Sequence, residues 1–194
     1  MTHKTNAELL KALYNKFPTC QSIPIDAHGA TKIVYGEGDP EAKIMLIGEA
    51  PGKKEDELGR PFVGRSGELL TRTLHSLGVE RKNVFITNVV KCRPPNNRTP
   101  TPEEVLFYKK YFLIPEIRII HPKVIVAVGS TSLKALLEDI PTSISKARGL
   151  LYKKSDIIII PTYHPAYILR NPSEFENFKS DLALAIATAK KHRT

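Results

Sequence analysis

Cysteine is scarce in this 194-residue sequence, which holds two, Cys20 and Cys92. Two thiols so far apart argue against a disulfide framework, and they cannot by themselves complete a four-ligand metal site. Histidine donors such as His28 could add to them only without any supporting local spacing, so no zinc site is expected. No run of about 18 apolar residues occurs, which excludes a helix that crosses a bilayer. The opening segment MTHKTNAELLKALYNKF is amphipathic and lacks both the unbroken apolar centre and the small-residue cleavage site of a secretory signal. Internal repeats and low-complexity linkers are missing as well. With 41% hydrophobic residues the chain reads as one domain spanning 1–194, soluble and cytoplasmic. The phosphate-cradling patterns GxGxxG and GxxxxGK followed by Ser or Thr are also absent, so a mononucleotide site has little support.

Positive charge is abundant. A net charge of +9 suits a polyanionic partner, although a solvated basic surface has the same composition. Four short runs rich in Ile and Val, at 43–47, 83–90, 124–128 and 156–161, are nearly continuously apolar, as strands buried on both faces are. Helical patterns separate them. RSGELLTRTLHSLG stops at Gly78, and TPEEVLFYKKYFLIPEIRIIHP opens with Thr101 as N-cap, Pro102 in the first turn and Glu104 at the capping-box position. Pro115 should kink or split that second helix. STSLKALLED and SEFENFKSDLALAIATAKKH supply two more. The alternation predicts an α/β fold, a three-layer α/β/α arrangement with a central four-stranded parallel sheet.

In such sheets ligands bind beyond the carboxyl ends of the strands. That rule collects four loops around one cleft. The first, GEAPGKKEDELGRPFVGRSG, holds five of the eleven glycines, as if a ligand pressed against its backbone. Its aromatic residue, Phe62, is either core packing or a platform for a flat ligand. From the second loop, Asn88 offers a coplanar donor and acceptor that match the edge of a nucleobase, or it caps a turn. After the fourth strand, His164 stands at the cleft mouth, where it can donate a hydrogen bond to a developing anion, or sit satisfied in the core.

The segments GEAPGKKEDELGRPFVGRSG, VFITNVVKCRPPNNRTPTPEE and TYHPAYILRNP resemble, in order and approximate spacing, the hallmark segments of the family 4 uracil-DNA glycosylases. The resemblance spans most of residues 32–172. It implies an enzyme that flips deoxyuridine out of DNA, a step costing a few kcal/mol, and hydrolyses its N-glycosidic bond, leaving an abasic site. Phe62 would then stack on the uracil, Asn88 read its O4 and N3 edge, and His164 meet the O2 where charge grows. Gly48, Glu49 and Ala50 would lie against base or sugar, so that the ligand approaching the glycines is the flipped nucleotide. Glu55 first, and Glu49 second, are candidates to orient the water. Leu169 or Ile168 would wedge into the duplex beside a phosphate-gripping Arg170. Lys53, Lys54, Arg65, Lys91 and Arg148 are further phosphate contacts that supply affinity without sequence choice. One flipped nucleotide requires only a monomer.

The resemblance also implies a four-iron four-sulfur cluster on four cysteines, and here the sequence departs from it. Cys92 in KCRPP matches one ligand and Cys20 another, but no partner stands at CxxC spacing, and residues 101–120 contain no cysteine. With about four thiolates required, the expectation is that no cofactor binds and that Phe17, Ile23, Phe107 and Tyr108 fill the volume instead. Two other readings remain beside the glycosylase for uracil. One is a uracil- or abasic-DNA binding protein without turnover, and the other a glycosylase for another altered base such as hypoxanthine.

Overall fold

A computed structural model of the chain describes residues 4–24, 29–137 and 143–191. Its strands are β1 (Glu37–Gly38), β2 (Ile44–Gly48), β3 (Phe85–Asn88), β4 (Val124–Val128), β5 (Tyr152–Lys154) and β6 (Ile157–Thr162). Its helices are α1 (Asn6–Tyr14), α2 (Lys53–Leu58), α3 (Arg65–Ser76), α4 (Pro102–Tyr108), α5 (Ile114–Ile120), α6 (Ser130–Leu136), α7 (Ile144–Ala147), α8 (Pro165–Arg170) and α9 (Phe175–Lys191).

The four apolar runs become neighbours. Among the described residues the sheet order is β1-β3-β2-β4-β6-β5, with the four inner strands parallel. The two edge strands, of two and three residues, are antiparallel additions that the sequence pattern did not reveal. Side chains alternate across the sheet as the pleat requires. Met45, Ile47, Ile125 and Ala127 face one core, shared with Leu10 of α1, Tyr108 of α4, Ile120 of α5 and Leu136 of α6. Ile44, Leu46, Val124 and Val126 face the other, shared with Leu70 of α3, Ile168 of α8 and Phe178 of α9. Three layers follow directly.

The expected kink or split at Pro115 is replaced by a local widening of the helix. Between α4 and α5 the chain widens into a single π-helical stretch, Lys109–Leu113, which accommodates the proline without ending the helical rod. The capping box at Thr101 and Glu104 forms as its sequence indicates.

The expectation of no disulfide is corrected. Cys20 and Cys92 are bonded to each other, with Cα atoms 6.1 Å apart across a sequence separation of 72. Spacing could not show this, because the chain after α1 folds back over the loop that leaves β3. Ile23, Tyr108 and Phe112, all buried, belong to the same core cluster as the two cysteines, with Phe17 and Phe107 packed against it. His28 lies outside the described residues.

Candidate active site

β3, β2, β4 and β6 end on the same side of the sheet, and the chain reverses direction across it between β2, which pairs with both β3 and β4, and its neighbours. A cleft of about 630 Å³ opens there, lined among others by Glu49, Ala50, Gly52, Glu55, Phe62, Asn88, Gly129 and His164. The carboxyl-end rule therefore locates the cleft correctly.

Two of the glycines make room for the protein itself. A Cβ at Gly48 would sit 2.5 Å from the Phe62 ring and 2.4 Å from the Asn88 amide oxygen. At Gly67 it would meet the Phe62 carbonyl at 2.0 Å. What presses on these backbones is the protein's own Phe62 and Asn88, and the glycines let both side chains lie deep in the cleft wall.

Phe62 has a left-handed backbone with φ of 50°, a conformation that costs roughly 1–3 kcal/mol outside glycine and persists only when its surroundings enforce it. Here they do. Arg81 donates to the Phe62 carbonyl at 3.1 Å and to the Pro61 carbonyl at 2.5 Å, while its guanidinium is fixed by Glu37 at 2.7 Å. Neither Arg81 nor Glu37 is marked by any sequence pattern.

Glu55, ranked first to orient water, is a brace. Its two carboxylate oxygens accept from the backbone N–H groups of Gly52 (3.2 Å), Val63 (2.9 Å) and Gly64 (2.8 Å), closing the loop that carries Phe62. Glu49 has more freedom, since one oxygen accepts from Thr131 Oγ1 and the carboxylate borders the cleft.

His164 caps α8. Its Nδ1 accepts from the Ala166 N–H at 3.1 Å, so in the neutral ring the proton resides on Nε2, which makes that nitrogen a donor. Burial, reinforced by the nearby Arg170 charge, pushes its pKa down to about 4, against a smaller opposing pull from Glu55. The imidazole is therefore neutral at physiological pH. Its ring lies 5.7 Å from that of Phe62, at 30° between planes.

Among the proposed DNA contacts, three are corrected outright. Lys91 is fully buried, 2.7 Å from Glu116, and cannot reach a phosphate. Arg148 is committed to Asp181 in a bidentate pair and to the Asn177 carbonyl at 2.8 Å. Ile168 is buried in the core behind α8 and cannot wedge. Leu169 is exposed on the same helix, and Arg170 borders the cleft. Lys53 and Lys54 are exposed on α2 beside Glu57, at 4.0 and 3.7 Å, and Arg65 is exposed at the start of α3. Tyr167, Ser66, Ser130 and Asn97 also line the cleft. None of the four carries a sequence-based role, although Tyr167, Asn97 and Ser66 fall inside the three hallmark segments.

The donor set does not fit a four-cysteine cluster. The chain has two cysteines and they are bonded to each other. Among the described residues no three His, Cys, Asp or Glu side chains gather as metal ligands. No described helix is long and apolar enough to cross a membrane.

Residues 35–187 match the family described as the Uracil DNA glycosylase superfamily. The chain is 47% identical over 174 residues to the type-4 uracil-DNA glycosylase of Thermotoga maritima, covering 87% of this chain and 88% of that one. It is 44% identical over 182 residues to the enzyme of the same name from Pyrobaculum aerophilum, covering 90% and 92%. With the one from Sulfurisphaera tokodaii it shares 49% over 168 residues, covering 80% and 76%.

Proposed function

The chain belongs to the uracil DNA glycosylase superfamily, and from that premise we infer that it is a uracil-DNA glycosylase, a monofunctional hydrolase of DNA repair. The observation that carries the reading is the set of Phe62, Asn88 and His164 around one cleft, with the His164 proton directed to Nε2 by the Ala166 amide.

In the proposed mechanism the extruded uracil lies against the Phe62 ring, and the Asn88 amide pairs with its O4 and N3–H edge. As the bond between C1′ and N1 lengthens, negative charge spreads onto the uracil oxygens while the sugar becomes an oxocarbenium ion. Nε2–H of His164 donates to O2, and it does so as a neutral group already in place, the condition under which such donors are most effective. Water adds to C1′ and releases a proton, and uracil leaves by taking up a proton at N1. Glu49 takes over from Glu55 as the carboxylate that orients this water, because Glu55 is engaged by three backbone amides.

Arg170, Lys53, Lys54 and Arg65 contact phosphates, and Leu169 occupies the gap left in the duplex. The protein acts as a cytoplasmic monomer, a single domain over 1–194, without an iron-sulfur cluster. The bonded Cys20 and Cys92, with the aromatic groups around them, support that last reading.

The test is excision from oligonucleotides carrying uracil, hypoxanthine or a G:T mismatch. Uracil-dependent product that falls about 100- to 1,000-fold in His164→Ala is expected, and near-wild-type turnover by that variant would remove the assignment. Protein purified without oxygen should contain no stoichiometric iron, and dithiothreitol should lower its melting temperature while leaving excision intact.

A further inference from the structure

The floor beneath Asn88 contains a buried ion pair that the mechanism above does not use. Lys91 and Glu116 both have 0% exposure. The Lys91 ammonium donates to Glu116 Oε2 at 2.7 Å, to Thr87 Oγ1 at 2.5 Å and to the backbone carbonyl of Asn88 at 2.7 Å. Those three bonds account for all of its hydrogens. Glu116 is satisfied in turn by the hydroxyls of Thr87 at 3.1 Å and of Tyr14 at 2.8 Å. The cluster thus ties the end of β3 to α5 on one side and to α1 on the other.

Stability is a poor reason for such a cluster. Desolvating two charges offsets most of their attraction, and a well-packed apolar pair generally serves the fold as well. One thing an apolar pair cannot do is hold the Asn88 carbonyl. Asn88 is the last residue of β3, in register with Gly48 of β2. Beyond it the N–H groups of Val89 and Val90 still donate to the Gly48 and Glu49 carbonyls at 2.9 and 3.0 Å, while the carbonyl of Asn88 itself, whose side chain lines the cleft, accepts from Lys91. Sub-ångström placement of a base-reading amide matters because reactivity falls steeply with misalignment.

We propose that Lys91, held by Glu116 and Thr87, is a positioning residue that sets the backbone, and through it the base-reading amide, of Asn88. The inference rests on the assignment of Asn88 as the reader of the uracil edge.

The test is a double-mutant cycle on uracil excision in single-turnover conditions. Lys91→Met with Glu116→Leu removes both charges together and leaves neither orphaned, so the variant should melt cooperatively and keep the wild-type circular dichroism. Its excision rate should fall by about tenfold or more, while in an Asn88→Ala background the same pair of substitutions should change the rate by less than about twofold, because coupled residues are non-additive. Thr87→Val, which keeps the shape and both charges, should show the same non-additivity at smaller amplitude, and it carries the test if the double variant does not fold. Wild-type turnover in the charge-free variant, or an equal loss with and without Asn88, would overturn the proposal. Asn88→Ala at wild-type rate would instead defeat the base-reading assignment, and the positioning role with it.

Discussion

The two walls of the cleft are built on different terms. The Phe62 wall, from Pro51 to Gly67, is fastened from behind by Glu55 on three backbone amides and by Arg81 on two carbonyls. The His164 wall is one short helix, α8, whose inner face is fixed by the cap at Ala166 and by buried Ile168. Its outer face shows Tyr167, Leu169 and Arg170 to solvent, and among the described residues no hydrogen bond or ion pair engages the Arg170 side chain. The difference teaches where preorganisation is placed. On the proposed reading, the wall that would meet a flat, invariant base is braced before the substrate arrives, whereas the wall that would meet a duplex of any sequence leaves its outer side chains to be ordered by the ligand.

The comparison breaks most visibly at Arg81. Arg81→Ala frees two carbonyls and releases the left-handed Phe62, and we expect a loss of about 2–3 kcal/mol in denaturant unfolding together with weaker product inhibition by free uracil. The His164 imidazole resonances should stay in place, and if they move, the walls are not independent.

Acid addresses the other wall. His164 has a folded pKa of about 4, below the unperturbed value of about 6.5, so the unfolded chain takes up its proton first. Its contribution to stability is complete above about pH 6.5 and is lost as the pH falls towards 4. An NMR titration should place the ring's midpoint near 4, and His164→Gln should flatten that part of the stability profile. A midpoint near 6.5 would mean that the ring is solvated rather than buried, and one well above neutrality would remove the proposed neutral donor.

Glu55→Gln leaves one carboxamide nitrogen facing backbone donors, at an expected cost of about 1–2 kcal/mol. Glu49→Gln should leave stability within about 0.5 kcal/mol and slow excision. The reverse pattern would return the water-orienting role to Glu55. Smallest of all in the free protein is Arg170→Ala, which should not shift the melt measurably. In DNA binding it should reduce the slope of log K against log salt by about 0.9, the value of one phosphate contact.

What the sequence reveals and conceals follows from range. The inner strands are legible because burial on both faces leaves unbroken apolar runs, and the cleft because its loops are marked by glycine, proline and the quoted segments. α2 and α8 are six residues each, too short to display a helical period, and the edge strands are shorter still. Lys91 reads as a phosphate contact because its charge is local information, while its partner Glu116 lies 25 residues away beyond a π-helical stretch. Glu55 misleads for a related reason. A carboxylate in a glycine-rich loop looks available until the turn closes and the turn's own amides occupy it.

The bond between Cys20 and Cys92 has a consequence for how the enzyme is made and kept. A cross-link over a separation of 72 residues restricts the unfolded chain enough to favour the native state by about 4 kcal/mol. If the chain holds no cluster, as proposed, its maturation needs only an electron acceptor for two thiols. A reducing cytoplasm withdraws that support and an oxidising episode restores it. The lifetime of this repair enzyme would then rise in the same oxidising conditions that damage DNA.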